Sequence, residues 1–244
     1  MMDTVIKTIG LTKRFGTKTA VDRLELEIRA GEIFGLLGVN GAGKTTTIRM
    51  LTGLSAVTEG DALVMGHSVK TELQDIKKII NVSTQETAVA GNLTVRENLA
   101  FIGKLYGLDK EKLEENIDKV SESLELGEVL HQKAKLLSGG WQRRLSIAMA
   151  LITDPKIVFL DEPTLGLDVL ARRELWSIIR AIKGKVTVIL TTHYLDECEA
   201  LCDRVAIMAK GELKALGTVD ELKKRTDKEK LEDAFVEIVG GAVE

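Results

Sequence analysis

The sequence predicts an α/β fold. A core of buried strands alternates with helices, an antiparallel β region lies at its N-terminal side, and a helical subdomain is inserted into it. Three observations carry this. "EIFGLLG" (32–38), "KIVFLDE" (156–162) and "KVTVIL" (185–190) are near-continuous apolar runs, the pattern of strands covered on both faces. "LELEI" (24–28) alternates apolar and polar, the pattern of a strand with one wet face. Between the first apolar run and the other two, from about Glu86 to Thr153, helix signals dominate.

"TVIKTI" (4–9) joins "LELEI" in the antiparallel region. "EIFGLLG" ends in glycine and runs into "VNGAGKTTTIRMLTGL", a glycine-rich turn followed by a helical pattern. "GDALVMG" and "IINVST" supply two short strands. In the helical stretch, Thr94-x-x-Glu97 is a capping box, in which hydroxyl and carboxylate each satisfy a free N–H at the helix start. Leu113, Ile117, Val120 and Leu124 then form an apolar helical stripe. "LLSGGWQRRLS" opens a helix that continues through "IAMALI". A helix over "LARRELWSIIRAI" separates the last two buried strands, and "RVAIMAKGELKALG" (204–217) reads as a hairpin turning at Lys210-Gly211. Thr218-x-x-Glu221 caps another helix, and Leu231, Phe235 and Ile238 stripe the tail. The expected organisation is one domain: an α/β core of 1–85 and 154–220, a helical subdomain of 86–153, and a helical tail of 221–244.

The net charge of −3 gives no general attraction to nucleic acid, and none is expected as a partner. No run of 18 or more apolar residues exists, and "MMDTVIKTIG" lacks the shape of a signal peptide. The expected location is the cytoplasm unless a partner holds the chain at a membrane. Cys198 and Cys202, in "DECEALCDR", are too few for a disulfide framework and have no further metal ligands at suitable spacing, so two reduced thiols at or near the core are expected. His67 and His131 read as surface residues.

Chemistry concentrates first at Gly38-Val39-Asn40-Gly41-Ala42-Gly43-Lys44-Thr45, which fits G-x-x-x-x-G-K-[ST] between a buried strand and a helix. Glycines let N–H groups converge on phosphate oxygens, and the helix N-terminus adds partial positive charge. The motif predicts that this run, with Thr46 after it, binds the phosphates of a nucleotide, which the resemblance given below makes ATP. Lys44 should reach the β- and γ-phosphates, and the Thr45 hydroxyl should bind Mg²⁺. Asp161, ending "IVFLD", should complete the metal site. Glu162 is placed to polarise the attacking water. These features alone would fit kinases, GTPases and many motors.

Ser138-Gly139-Gly140 narrows the choice. A serine N-cap followed by two glycines exposes a hydroxyl and N–H groups in an anion-holding geometry. A second such site is redundant within one subunit but useful if it closes on the γ-phosphate held by another copy. With it, the chain resembles an ATP-binding cassette (ABC) ATPase, a P-loop NTPase with an N-terminal antiparallel β region and an inserted helical subdomain. "LSGG" at 137–140 resembles the family signature. The resemblance makes Phe15 in "KRFG" the aromatic that stacks on adenine, and Gln85 in "NVSTQE" the glutamine linking the metal to the helical subdomain. It makes Asp168 in "TLGLD" part of the loop crossing the dimer, and His193 after "VILTT" the switch histidine at the γ-phosphate. Ser138, Gly139 and Gly140 would contact ATP in trans. The signature's fifth position, commonly glutamine, is Trp141 here, expected either at the subunit interface or in the core. Val39 stands where the family often has proline.

"GEIFGLLG", "LSGGWQRRLSIAMALI" and "LEDAFVEI" resemble the exporter branch that handles drugs, antibiotics, sodium or polysaccharide. That resemblance implies a second ATPase subunit, a homodimer first, and a separate membrane permease docking near residues 86–106. It places the chain on the cytoplasmic face of the membrane. A soluble, nucleotide-gated clamp uncoupled from transport is the alternative.

Overall fold

The computed structural model describes residues 3–241. The chain opens with β1 (Thr4–Phe15), β2 (Lys18–Leu24), β3 (Glu27–Arg29) and β4 (Ile33–Leu37), and a loop from β4 leads into α1 (Lys44–Leu51). Next come β5 (Glu59–Val64), β6 (His67–Ser68), α2 (Leu73–Ile79) and β7 (Ile80–Ser83). The helical region holds α3 (Val95–Leu105), α4 (Lys110–Ser123) and α5 (Gly139–Leu151). After it stand β8 (Ile157–Asp161), α6 (Val169–Ala181), β9 (Thr187–Thr192), α7 (Leu195–Leu201), β10 (Arg204–Ala209) and β11 (Glu212–Gly217). Helices α8 (Val219–Thr226) and α9 (Leu231–Gly240) end the described chain.

Two sheets form. An antiparallel sheet runs β2-β1-β5-β6, with β3 also paired to β1. A mixed sheet runs β11-β10-β4-β9-β8-β7, parallel except for the terminal β10–β11 hairpin. The apolar runs are central in the mixed sheet because both of its faces are covered. Phe34, Phe159 and Ile189 point into a core shared with the antiparallel sheet and α1. Val158, Leu160, Val188 and Leu190, alternating with them, point into a core shared with the helical region. Each such side chain contributes roughly 1.5–3 kcal/mol when fully buried. Both predicted capping boxes form, at Thr94–Glu97 and Thr218–Glu221. Leu113, Ile117, Val120 and Leu124 are all buried. Cys198 and Cys202 are free thiols packed against Gly35, where a Cβ would lie 2.7 Å from the Cys202 Sγ. Glycine in β4 is what lets the end of α7 approach so closely.

Some elements differ from expectation. The first strand continues to Phe15, and the polar "KTAVDRL" forms β2, of which only Val21 and Leu24 are buried. "LELEI" is not one strand. It breaks after Leu24, and Leu26 bonds Thr8 through both its N–H and its carbonyl. Leu24, Leu26 and Ile28 are nevertheless all buried, so the alternation marked the buried face correctly. Helix α2 carries no strong sequence signal: its only fully buried residue is Ile76. His67 contacts Glu72 at 3.0 Å, and His131 is exposed.

Parallel register positions the site. Leu37 stands beside Thr192, and Asp161 beside Thr191. The carboxyl ends of β4, β8 and β9 therefore meet, which is where ligands bind in open α/β sheets.

Candidate functional site

The loop from β4 winds onto the N-terminus of α1. Gly43 caps that helix at φ 106°, and a Cβ there would lie 2.7 Å from the Ala20 carbonyl oxygen. Only glycine suits this backbone. No side chain caps α1, and its first turn has no acidic residue. Its leading N–H groups are therefore left for an anion, which the helix dipole favours. Lys44 is buried at 5% exposure, with Nζ donating to Gly38 O at 2.7 Å and lying 3.4 Å from Glu162 Oε1.

Two carboxylates face this loop from the end of β8. Thr45 Oγ1 donates to Asp161 Oδ1 at 3.1 Å, and Thr191 Oγ1 donates to the same oxygen. Glu162 has a left-handed backbone at φ 50°, rare for a residue with a side chain. Its N–H donates to Thr191 Oγ1 at 3.0 Å, and its Oε2 lies 2.7 Å from His193 Nδ1. A cavity of about 420 Å³ opens here, lined by residues 40–46, Phe15, Lys18, Gln85, Glu162 and His193. Phe15 is 55% exposed at its edge, with Lys13 Nζ 4.8 Å from the ring centroid. A phosphate cradle, hard oxygen donors and a carboxylate touching both a lysine and a histidine can together bind a nucleotide and activate water.

The structure thus gathers Phe15, Asn40 through Thr46, Gln85, Glu162 and His193 around one cavity, with Asp161 joined through Thr45. Gly38 and Val39 lie at the base of the loop, outside the lining. Ser138, Gly139, Gly140 and Asp168 do not line it either. Ser138 is the N-cap of α5, but its hydroxyl makes no capping bond. Gly139 lies 4.0 Å from the Leu167 side chain, measured from the Cβ position it lacks. Asp168 caps α6, accepting from Leu170 N at 2.9 Å and Ala171 N at 3.0 Å. Trp141, expected at the subunit interface or in the core, lies at the edge of the helical-region core and borders a surface groove. It is half-buried against the helical-region core, with the Arg144 guanidinium 4.6 Å from its ring.

Sequence reasoning missed Thr191, Lys18 and Arg143. Thr191 had a signal, the first of two hydroxyls that follow the apolar run 188–190 at the end of β9. Lys18 sits in the unpredicted β2. Arg143 is one of two arginines in a helix whose following residues are almost all buried, and a charge there needs partners.

Comparison with known proteins agrees with this geometry. A family model described as "ABC transporter" matches residues 21–165. The chain is 40% identical over 243 residues to the probable multidrug ABC transporter ATP-binding protein YbhF of Escherichia coli, covering 97% of this chain and 42% of YbhF. It is 42% identical over 219 residues to the daunorubicin/doxorubicin resistance ATP-binding protein DrrA of Streptomyces peucetius, covering 89% of this chain and 66% of DrrA. It therefore spans less than half of the one relative and about two thirds of the other. The structure of an ATP-binding subunit of an ABC transporter superposes with a TM-score of 0.85 at 26% identity, covering 96% of this chain and 99% of that one. The chain belongs to the ABC transporter family and has the fold of its ATP-binding cassette.

Proposed function

We propose that this chain binds ATP in the cavity at the end of β4 and hydrolyses it, as the ATP-binding subunit of an exporter. The observation that carries the reading is Glu162, at the end of the strand whose Asp161 meets Thr45, 3.4 Å from Lys44 and 2.7 Å from His193. Residues 38–46 hold the phosphates and Phe15 stacks on the adenine. Glu162 takes the proton of the attacking water, and His193 orients Glu162 and meets the γ-phosphate. Thr45, Asp161 and Gln85 would hold Mg²⁺, which neutralises phosphate charge when bound. Among the described residues no cluster of three or more His, Cys, Asp or Glu side chains could hold a metal. The Thr45 hydroxyl 3.1 Å from the Asp161 carboxylate is a donor pair that suits Mg²⁺, which takes one or two protein oxygens beside phosphates and water.

Ser138, Gly139 and Gly140 serve a second ATPase subunit in this reading, and Asp168 lies in the loop between the two. Residues 86–153 act as the helical subdomain on a core of 1–85 and 154–220, with 221–244 as the tail. Among the described residues no helix is long and apolar enough to cross a membrane. The permease is then another chain or segment, meeting this one near residues 86–106 at the cytoplasmic face. The apolar side chains of Leu105 and Tyr106 support that surface: they are 69% and 50% exposed, and border a groove with Leu54. The likeness to YbhF, a probable multidrug ABC transporter ATP-binding protein, and to DrrA, a daunorubicin/doxorubicin resistance ATP-binding protein, favours transport over a soluble clamp.

Glu162→Gln tests the chemistry. It removes the base and keeps the shape, so nucleotide binding persists while hydrolysis falls about 10²- to 10⁴-fold. Near-normal turnover by the purified variant would remove Glu162 from the mechanism.

A further inference from the structure

Arg143 lies on α5, five residues after Ser138, and is only 3% exposed. Its guanidinium reaches no carboxylate within ion-pair distance among the described residues. It spends its donors on main-chain carbonyls instead. Nε donates to Pro163 O at 2.7 Å, and Nη1 to Thr84 O at 2.7 Å. Nη2 donates to Glu162 O and, at 3.4 Å, to Asp161 O. Burial pulls this guanidinium below the usual arginine value, while Asp161, Glu197 and Glu162 oppose that fall. A cation at this depth is costly unless its hydrogen bonds are made, and here the fork geometry of arginine makes four.

These carbonyls belong to the two segments that flank the cavity. Glu162 holds its left-handed backbone only if its surroundings over-determine it. Thr191 fixes its N–H from one side, and Arg143 fixes its carbonyl from the other. Thr84 directly precedes Gln85. The same rigid helix carries Ser138, Gly139 and Gly140 at its start.

We propose that Arg143 is a positioning residue, which holds the backbones of Glu162 and of the segment leading to Gln85 in register with the helix that begins at Ser138. This rests on the reading of Glu162 as the base. Arg143 touches no substrate in this account. It sets where the Glu162 carboxylate stands, so its loss should lower the chemical step and spare nucleotide binding.

The test compares wild type, Arg143→Ala, Arg143→Lys and Glu162→Gln as purified chains. It measures kcat and KM for ATP, affinity for a trinitrophenyl ATP analogue, and melting temperature. Arg143→Ala is expected to lose about 10- to 100-fold in kcat, the scale of a small misplacement of a catalytic group. Analogue affinity should stay within about threefold, since the phosphate loop is untouched. Arg143→Lys keeps the charge but not the fork, so its kcat should fall between the two. Full kcat in Arg143→Ala, with Glu162→Gln inactive, overturns the proposal. So does a parallel loss of kcat, affinity and melting temperature in both Arg143 variants, which is a fold defect. Should Arg143→Ala not fold, Arg143→Lys decides: lowered kcat with retained affinity supports the role, and unchanged kcat overturns it. Normal hydrolysis by Glu162→Gln would instead remove the reading on which the proposal stands.

Discussion

Glu197 is a carboxylate with 0% exposure on α7, just past His193. Its Oε1 accepts from Trp176 Nε1 at 3.2 Å, and Oε2 has no hydrogen-bond partner among the described residues. Burial pushes its pKa up. The hydrogen bond from the Trp176 indole pulls against that, and the Glu162 charge adds to the rise. The folded chain therefore holds this proton more tightly than the unfolded chain. The stability it gives is fully present below the unfolded value of about 4.3 and fades as pH rises through the raised folded value. Glu197→Gln keeps the shape, removes the charge, and offers an N–H to the Thr164 hydroxyl, which also has no partner. The variant should gain in melting temperature relative to wild type as pH goes from 5 to 8. A difference constant across that range would mean that Glu197 does not titrate there. At this scale the sequence was legible wherever chemistry is packed into a short motif, as in Gly38 to Thr45. Glu197 and Arg143 were not, because burial and partners 18 to 59 positions away in sequence define them, and no local pattern reports either.

Elements show the same division. Strands β4, β8 and β9 announce themselves because a strand buried on both faces must be apolar throughout. The sequence of β2 hides because only two of its seven residues are fully buried. Helix starts are legible where a side chain supplies the cap, as at Thr94 and Thr218. Asp168 also has this local role, whatever it does in the loop that precedes it. Asp168→Ala should lose about 1 kcal/mol through the α6 cap. For a chain of this size that is a fall of roughly 2–4 °C in melting temperature. Asp168→Asn keeps a capping oxygen and should melt near wild type. Thermal unfolding of the two variants side by side checks this, and equal losses would show that the charge, not the cap, matters. If Asp168→Asn is stable yet hydrolyses slowly, its carboxylate has the second role that the family resemblance implies.

In the whole molecule, two stretches carry the sequence pattern of an anion-holding helix start, and only the loop at 38–46 reaches the cavity beside Glu162, through residues 40–46. Ser138, Gly139 and Gly140 face elsewhere, with the Ser138 hydroxyl unused as a cap. If they close on ATP held by a second copy, the two motifs must fail in different ways. Lys44→Ala removes the buried cation beside Glu162, the one proposed to meet the phosphates, and should weaken nucleotide binding or abolish turnover. Gly139→Asp puts a carboxylate where N–H groups would approach the γ-phosphate. Repulsion then blocks closure, while the same chain's own loop still binds ATP. Each variant alone should be nearly inactive. In a dimer with one copy of each, both lesions fall on one composite site and the other site is intact. Mixing the two inactive proteins should therefore restore part of the ATPase activity, provided that one intact site can turn over by itself. Two lesions acting within single chains could never complement. Wild-type hydrolysis by a Gly139→Asp protein shown to be monomeric would rule out the action in trans.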